Sequence, residues 1–128
     1  MQITSFNPLI VTRDSASVIA LFEALGFERR HMKTGINGKD ITSVRMRYEN
    51  EDGKIFHVDV TQAPVEKDIT TIRMNIRDFD EAYQMLQEKG FVNSQGDKIT
   101  HTGSSESTMM ISPSGFSISI TEHIREHE

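Results

Sequence analysis

His57 carries the side chain best suited to chemistry near neutral pH, because an imidazole titrates there and can act as a metal ligand or a general base. A lone histidine with no partner fixed beside it is weak grounds for catalysis. The plainer reading, a half-exposed strand histidine hydrogen-bonded to a neighbour, is therefore preferred. Arg45, Arg47 and Arg73 offer a second kind of chemistry. Guanidinium groups gathered on one face of an acidic protein suit a carboxylate or phosphate on a small ligand. The competing account is a solvated sheet face, or a dimer edge where they pair with Asp59 and glutamates. It weighs more on Arg45 and Arg47, whose strand can sit at a rim.

Other groups are set aside. Ser104, Ser105 and Ser107 have no histidine or acid at a readable spacing, so no hydrolase triad is expected. The stretch from Gly35 to Gly38 is a hairpin turn without the following helix that a phosphate-cradling loop needs. Met46, Met109 and Met110 form either an adaptable apolar wall or simple core filler. Tyr48 and Phe22 belong to the core, and His31 and His101 are assigned no role.

Composition narrows the class. The chain has 128 residues, enough for one domain with a real core. Hydrophobic residues make up 36% and charged residues 26%, which argues against disorder. A formal charge of −5 disfavours nucleic acid and anionic membranes as partners. Cysteine is absent, which removes thiolate metal sites and cysteine nucleophiles and fits a cytoplasmic location. No apolar run approaches a membrane span, and the N-terminus is too polar for a signal peptide.

The elements that must position these groups are repeated. Arg13-Asp14 returns 64 residues later as Arg77-Asp78, and Gly26-Phe27 returns at the same offset as Gly90-Phe91. A repeat this long implies two copies of one supersecondary unit. Residues 3–12 read as a strand with Pro8 inside it. Asp14 or Ser15 caps a helix with Val18, Ile19, Leu21, Phe22 and Leu25 as its apolar stripe, and Gly26 closes it. Residues 27–34 look extended, and 41–49 and 54–61 alternate as strands around a turn at Asn50–Gly53. After a linker the pattern restarts: a strand at 71–76, then a helix capped by Asp78 with Phe79, Ala82, Tyr83 and Leu86 as its stripe. Residues 91–103 are extended but weakly patterned, GSSES is a turn, and two strands flank the turn at Pro113–Gly115. The order βαβββ thus appears twice. The expected layout is a single domain over 1–128, with module one at 1–62, a linker at 63–68, module two at 69–123 and a tail at 124–128.

Alternation assigns faces. Pro8/Ile10, Phe56/Val58/Val60, Ile72/Met74/Ile76 and Phe116/Ile118/Ile120 share the parity that packs against helices. The opposite parity puts Asn7, His57, Asp59, Thr71, Arg73, Asn75, Ser119 and Thr121 on whatever concave surface the modules enclose.

The segments VTRDSASVIALFEALGFE, IRDFDEAYQMLQEKGF and ISPSGFSISITE resemble the vicinal oxygen chelate superfamily, over essentially Phe6 to His123. That superfamily includes glyoxalase I, bleomycin-resistance proteins, extradiol dioxygenases and methylmalonyl-CoA epimerase. The resemblance implies an α+β fold: two βαβββ modules forming a curved, incomplete mixed-sheet barrel, helices outside and a ligand or metal inside. Its metalloenzymes place ligands on the first and last strand of each module. Counting from Asp14 and Asp78, and from Gly53 and Gly115, those positions fall on Asn7, Thr71, His57 and Ser119. Only His57 is a good ligand, whereas a transition-metal centre needs about three. A slipped register would put His57, Asp59 and Glu122 together, but Glu122 has helix-facing parity.

The expectation is a small-molecule-binding protein of the glyoxalase/bleomycin-resistance type, without a metal or other cofactor. Its ligand, anionic or aromatic, would sit against Asn7, His57, Thr71, Arg73, Ser119 and Arg45, with no catalytic residue assigned. The resemblance also implies a homodimer. The alternative is a divergent metal-dependent lyase, isomerase or dioxygenase that uses a divalent metal, with His57 as surviving ligand or base. A third account makes the repeat surface a scaffold for protein contact.

Overall fold

Each helix begins where an aspartate can accept the amides that a first turn leaves unpaired. Asp14 accepts the Ser17 N–H at 3.2 Å ahead of α1 (Ser15–Ala24). Asp78 accepts the Glu81 N–H at 3.1 Å ahead of α2 (Phe79–Glu88). The last strand of each module adds a second cap. Gln62 Oε1 accepts the Ser15 N–H at 2.8 Å, and Glu122 Oε1 accepts the Phe79 N–H at 2.7 Å. Gly26 leaves α1 with φ 106°, and a Cβ there would come within 3.0 Å of the Tyr48 ring, so both backbone and space require glycine.

The computed structural model describes residues 1–33, 42–102 and 104–123. The expected turn at Gly35–Gly38 and the tail at 124–128 lie outside them. The strands are β1 (Gln2–Thr12), β2 (Glu28–Lys33), β3 (Thr42–Glu49), β4 (Ile55–Gln62), β5 (Ile69–Arg77), β6 (Val92–Asn93), β7 (Thr100–His101), β8 (Ser105–Ile111) and β9 (Ser117–His123). Among the described residues no helix is long and apolar enough to cross a membrane.

The chain divides into two compact units, Asn7–Thr70 and Thr71–Glu128, with Met1–Phe6 joining the latter. In the first unit β4 pairs in parallel with the second half of β1 and antiparallel with β3, which pairs in turn with β2. Ile19, Val44, Met46, Val58 and Val60 form its core, with Ile10, Val18, Phe22 and Phe27 packed against it. In the second unit β9 pairs in parallel with β5 and antiparallel with β8, and the short β6 and β7 both pair with β8. Its core holds Met74, Ile76, Phe79, Ala82, Leu86, Met110, Ile118 and Ile120. The α+β architecture of two βαβββ modules, with mixed parallel and antiparallel pairing, is the one the sequence implied.

Several details differ. Leu21 and Leu25 are 55% and 58% exposed, because the side of α1 that meets the sheet is the one carrying Val18, Ile19 and Phe22. Pro8 is exposed, and Phe56 and Phe116 lie half out of the core, where Phe56 stacks on Tyr48 and Phe116 meets Phe91 edge-on. The segment expected as a GSSES turn is largely strand, since β8 starts at Ser105. The weakly patterned stretch before it breaks into β6 and β7. Buried Asn93 organises that break, accepting from Gln95 N–H and Thr108 O–H while donating to the Lys98 carbonyl.

Asp78 sits at φ 70°, left-handed, whereas Asp14 does not. Asp78→Ala therefore loses a cap while keeping a Cβ in the left-handed region, at a cost of about 1 kcal/mol. Asp78→Gly removes the same cap but relieves the Cβ at that φ, and should cost less. Urea unfolding midpoints order the two variants, and a milder loss in the alanine variant would contradict the reading.

Candidate functional site

In the first unit, the strand positions facing away from α1 carry a bound ion pair. The turn at Asn50–Gly53 folds β4 back on β3, so that Arg45 lies opposite Asp59 and Arg47 opposite His57. Leu9 on β1 lies on the other side of Asp59. Asp59 is only 2% exposed, and a carboxylate so far from water needs a partner. Arg45 supplies it with two parallel bonds, Nε to Oδ1 at 2.9 Å and Nη2 to Oδ2 at 3.0 Å. Arg45 Nη2 also donates to Asn7 Oδ1 at 2.9 Å. Asn7 Nδ2 in turn donates to Asp59 Oδ2 at 3.1 Å and to the Pro8 carbonyl at 2.9 Å. Arg47 pairs with Glu49 at 3.1 Å, and the hydroxyl of Thr61 donates to that of Ser43 at 3.1 Å.

His57 shares this face. Partial burial and then the charge of Arg45 hold its imidazole below the ordinary 6.5, with Arg47 adding to the effect and Asp59 opposing it. The neutral imidazole is therefore the favoured form in the native protein. The Arg45 guanidinium is held above its ordinary value, chiefly by its hydrogen bonds to Asp59.

Thr71, Arg73 and Ser119 belong to the second unit. Arg73 lies opposite Ser119 across the parallel β5–β9 pair, and Asn75 opposite Thr121. Thr71 and Ser119 are buried, and the Thr71 hydroxyl makes no hydrogen bond. Of the six expected ligand contacts, Asn7 and Arg45 are bonded to each other, with His57 sharing their sheet face. Thr71, Arg73 and Ser119 form the corresponding group in the other unit.

Strand register corrects one equivalence. Leu9 pairs with Asp59 where Arg73 pairs with Ser119, and Gln62 caps α1 where Glu122 caps α2. The counterpart of Ser119 is therefore Asp59, not His57. The first hairpin is longer by two rungs, since β3 continues through Tyr48 and Glu49, so counting from the turn glycines lands two residues short. By the same register the Arg45–Asp59 pair of module one corresponds to Met109–Ser119 in module two.

The donors do not suit a divalent ion. Asn7 Oδ1 and both oxygens of Asp59 already accept from a guanidinium, which is itself a cation in their midst. Glu122, the third member of the slipped-register set, spends Oε1 on the Phe79 amide. Among the described residues no three His, Cys, Asp or Glu side chains gather as a metal site. Sequence reasoning placed Asp59 on this face and paired it with the arginines only as a dimer edge, not as a buried pair within the module. The spacing of both residues from the Asn50–Gly53 turn was the signal. The orphan polar atoms of Ser5 and Asn75 had no signal in sequence.

Two outcomes test this geometry. Arg45→Met strands the Asp59 carboxylate and should cost about 3 kcal/mol in urea unfolding, while adding Asp59→Leu should restore more than half of it. Additive losses would mean that the pair is not coupled. For His57 the lowered native pKa means that the unfolded chain takes up a proton first as pH falls. Stability is thus full above pH 6.5 and declines as pH drops through the native value, a decline that His57→Gln should flatten. Imidazole NMR titration should place the native midpoint below 6.5 and move it upward in Arg45→Met, because a cation leaves and Asp59 is released. An unmoved midpoint would contradict the assignment.

No family model matches the chain, and no curated protein matches it. Solved structures do. A variant of Streptomyces coelicolor methylmalonyl-CoA epimerase, in complex with 2-nitronate-propionyl-CoA, is 15% identical with a TM-score of 0.66, covering 98% of this chain and 99% of that one. The Mycobacterium tuberculosis methylmalonyl-CoA epimerase is 11% identical with a TM-score of 0.65, covering 98% and 91%. A hypothetical protein from Bacillus halodurans is 12% identical with a TM-score of 0.65, covering 98% and 99%. The chain has the fold of these structures, that of the vicinal oxygen chelate superfamily.

Proposed function

We propose that this chain is a small-molecule-binding protein of the glyoxalase/bleomycin-resistance type that holds its ligand without a metal ion. The observation that carries this reading is the forked Arg45–Asp59 pair, closed by Asn7, which uses the oxygen atoms a divalent ion would need. A guanidinium has five donors, and the bonds to Asp59 and Asn7 leave those on Nη1 for a ligand oxygen. Arg45 is 24% exposed along its side chain. Beside it, a neutral His57 can accept a hydrogen bond or lie against an apolar ring. Thr71, Arg73 and Ser119 supply polar contacts in the second module. A symmetric homodimer and a cytoplasmic location, both expected from the sequence, belong to the same proposal.

The structural neighbours favour a second reading, a divergent metal-dependent lyase, isomerase or dioxygenase with His57 as ligand or base. Those neighbours include epimerases in complexes with 2-nitronate-propionyl-CoA and with methylmalonyl-CoA. The donor chemistry around Arg45 weighs against it here.

Elemental analysis of protein purified without chelator separates the two: the first reading expects far less than stoichiometric Zn, Ni, Fe or Mn, and a full equivalent supports the second. A thermal-shift screen over aromatic and carboxylate-bearing compounds should return stabilising ligands. His57→Ala should shrink that ligand-induced stabilisation more than it lowers basal stability. Loss of basal stability with no change in the ligand effect would make His57 structural and remove it from the site.

A further inference from the structure

The two helices hold equivalent places in the repeat, but only one has an outer surface suited to water. At the offset of 64 residues that relates the copies, Ala16, Ala20, Leu21, Ala24 and Leu25 correspond to Asp80, Gln84, Met85, Glu88 and Lys89. All of the second set but Met85 are exposed, and they give α2 an ordinary solvated face. All of the first set are exposed too, and none carries a charge. Thus α1 is apolar on the side turned from its sheet as well as on the side of Val18, Ile19 and Phe22. A helix apolar all round is normally covered on every side. The apolar surface continues past the helix end. A Cβ on Gly26 would touch the Tyr48 ring, and Tyr48 stacks on half-exposed Phe56 with 6.4 Å between centroids. A contiguous patch of this kind marks an interaction surface.

The shape and charge of the face fit a second copy of itself. Residues four apart form rows along a helix, and two such rows lie side by side here. Ala16, Ala20 and Ala24 make a furrow, and Leu21 and Leu25 make the ridge beside it. A twofold axis lays the ridge of each copy in the furrow of the other, which is what a symmetric contact asks of a single surface. The charged side chain at its edge, Glu23, is held by Arg29 at 3.0 Å, so the face meets no like charge in its own copy. After the Asp14 cap, the first turn of α1 has no acidic side chain and the last turn no basic one. Antiparallel pairing sets the positive end of each helix dipole beside the negative end of the other and supplies what those turns lack. A lipid surface fits less well, because α1 has no lysine or arginine to meet headgroups.

We infer that two copies of this chain pair through α1, the helices antiparallel, with Leu21 and Leu25 of each seated in the alanine furrow of the other. This pairing gives the homodimer of the reading above its surface and draws on none of its ligand chemistry.

The helices are only about 15 Å long, so the contact is modest and is read over rising concentration. Sedimentation equilibrium should show the average mass climbing toward twice that of the monomer. Leu21→Glu should raise the dimer Kd at least about tenfold, because each copy then buries an unpaired charge. Leu21 is exposed in the single chain, so an unchanged urea midpoint shows that the variant folds. Gln84→Glu places the same charge on α2 and should leave the equilibrium alone. The chain has no cysteine, so Ala20→Cys carries a unique thiol. Close to the twofold axis, it should form a disulfide-linked dimer at least about tenfold faster than Gln84→Cys under mild oxidation. A monomer at every concentration, or equal cross-linking of the two cysteine variants, overturns the pairing. A dimer untouched by Leu21→Glu also overturns it, but leaves the homodimer standing on another surface. Binding of the monomer to zwitterionic vesicles, abolished by Leu21→Glu, assigns the face to lipid and overturns it as well. The small-molecule reading stands or falls separately, on the thermal-shift screen.

Discussion

A carboxylate withdrawn from water must be given a cation, and in module one that requirement organises everything polar. Asp59 lies in the middle of β4, with β1 on one side and β3 on the other. Its position is set by alternation, because Val58 and Val60 on either side of it must fill the core under α1. Arg45 is then the partner that register provides, and Asn7 fills the remaining edge of the guanidinium. Losing Arg45 removes two bonds to the buried Asp59 carboxylate and one to Asn7 at once, so the three form one device. The same guanidinium, after partial burial, helps to hold His57 in its neutral form.

The duplicated backbone has been kept where packing demands it and released where it does not. Met46 and Met110 occupy matching rungs of the two hairpins, and both are fully buried against their own helix layer. The aspartate caps and the last-strand caps match as well, so both copies build the same helix entry from different side chains. On the opposite face the Ser43–Thr61 rung recurs as Ser107–Thr121, but the next rung, Arg45–Asp59, becomes Met109–Ser119. One copy has invested in a closed ion pair, and the other in serine and threonine hydroxyls around an arginine.

Much of this could be read from the chain. The offset between Arg13-Asp14 and Arg77-Asp78 found both helices, and strict alternation through Val44–Tyr48 and Phe56–Val60 found the sheet faces. The site was legible as a list of residues but not as a set of bonds. Arg45 facing Asp59 follows from the tight Asn50–Gly53 turn, a local signal. The match of Ser119 with Asp59 does not, because it depends on one hairpin being longer than the other, and turn glycines carry no record of hairpin length. Leu21 and Leu25 show the other limit. Their helical spacing predicts a buried stripe, but the sheet meets the neighbouring side of the helix, that of Val18, Ile19 and Phe22.

The Arg45 guanidinium holds the oxygen atoms that a bound metal would need, and arginine side-chain NMR during titration with cobalt(II) tests this most directly. The Arg45 Nε–H, bonded to Asp59 Oδ1, should keep its shift and linewidth, with only slow, non-saturating broadening at exposed sites. Saturable loss of that signal at one equivalent of cobalt, with matching effects at Asn7 and His57, would show a metal taking the arginine's place and would contradict the account.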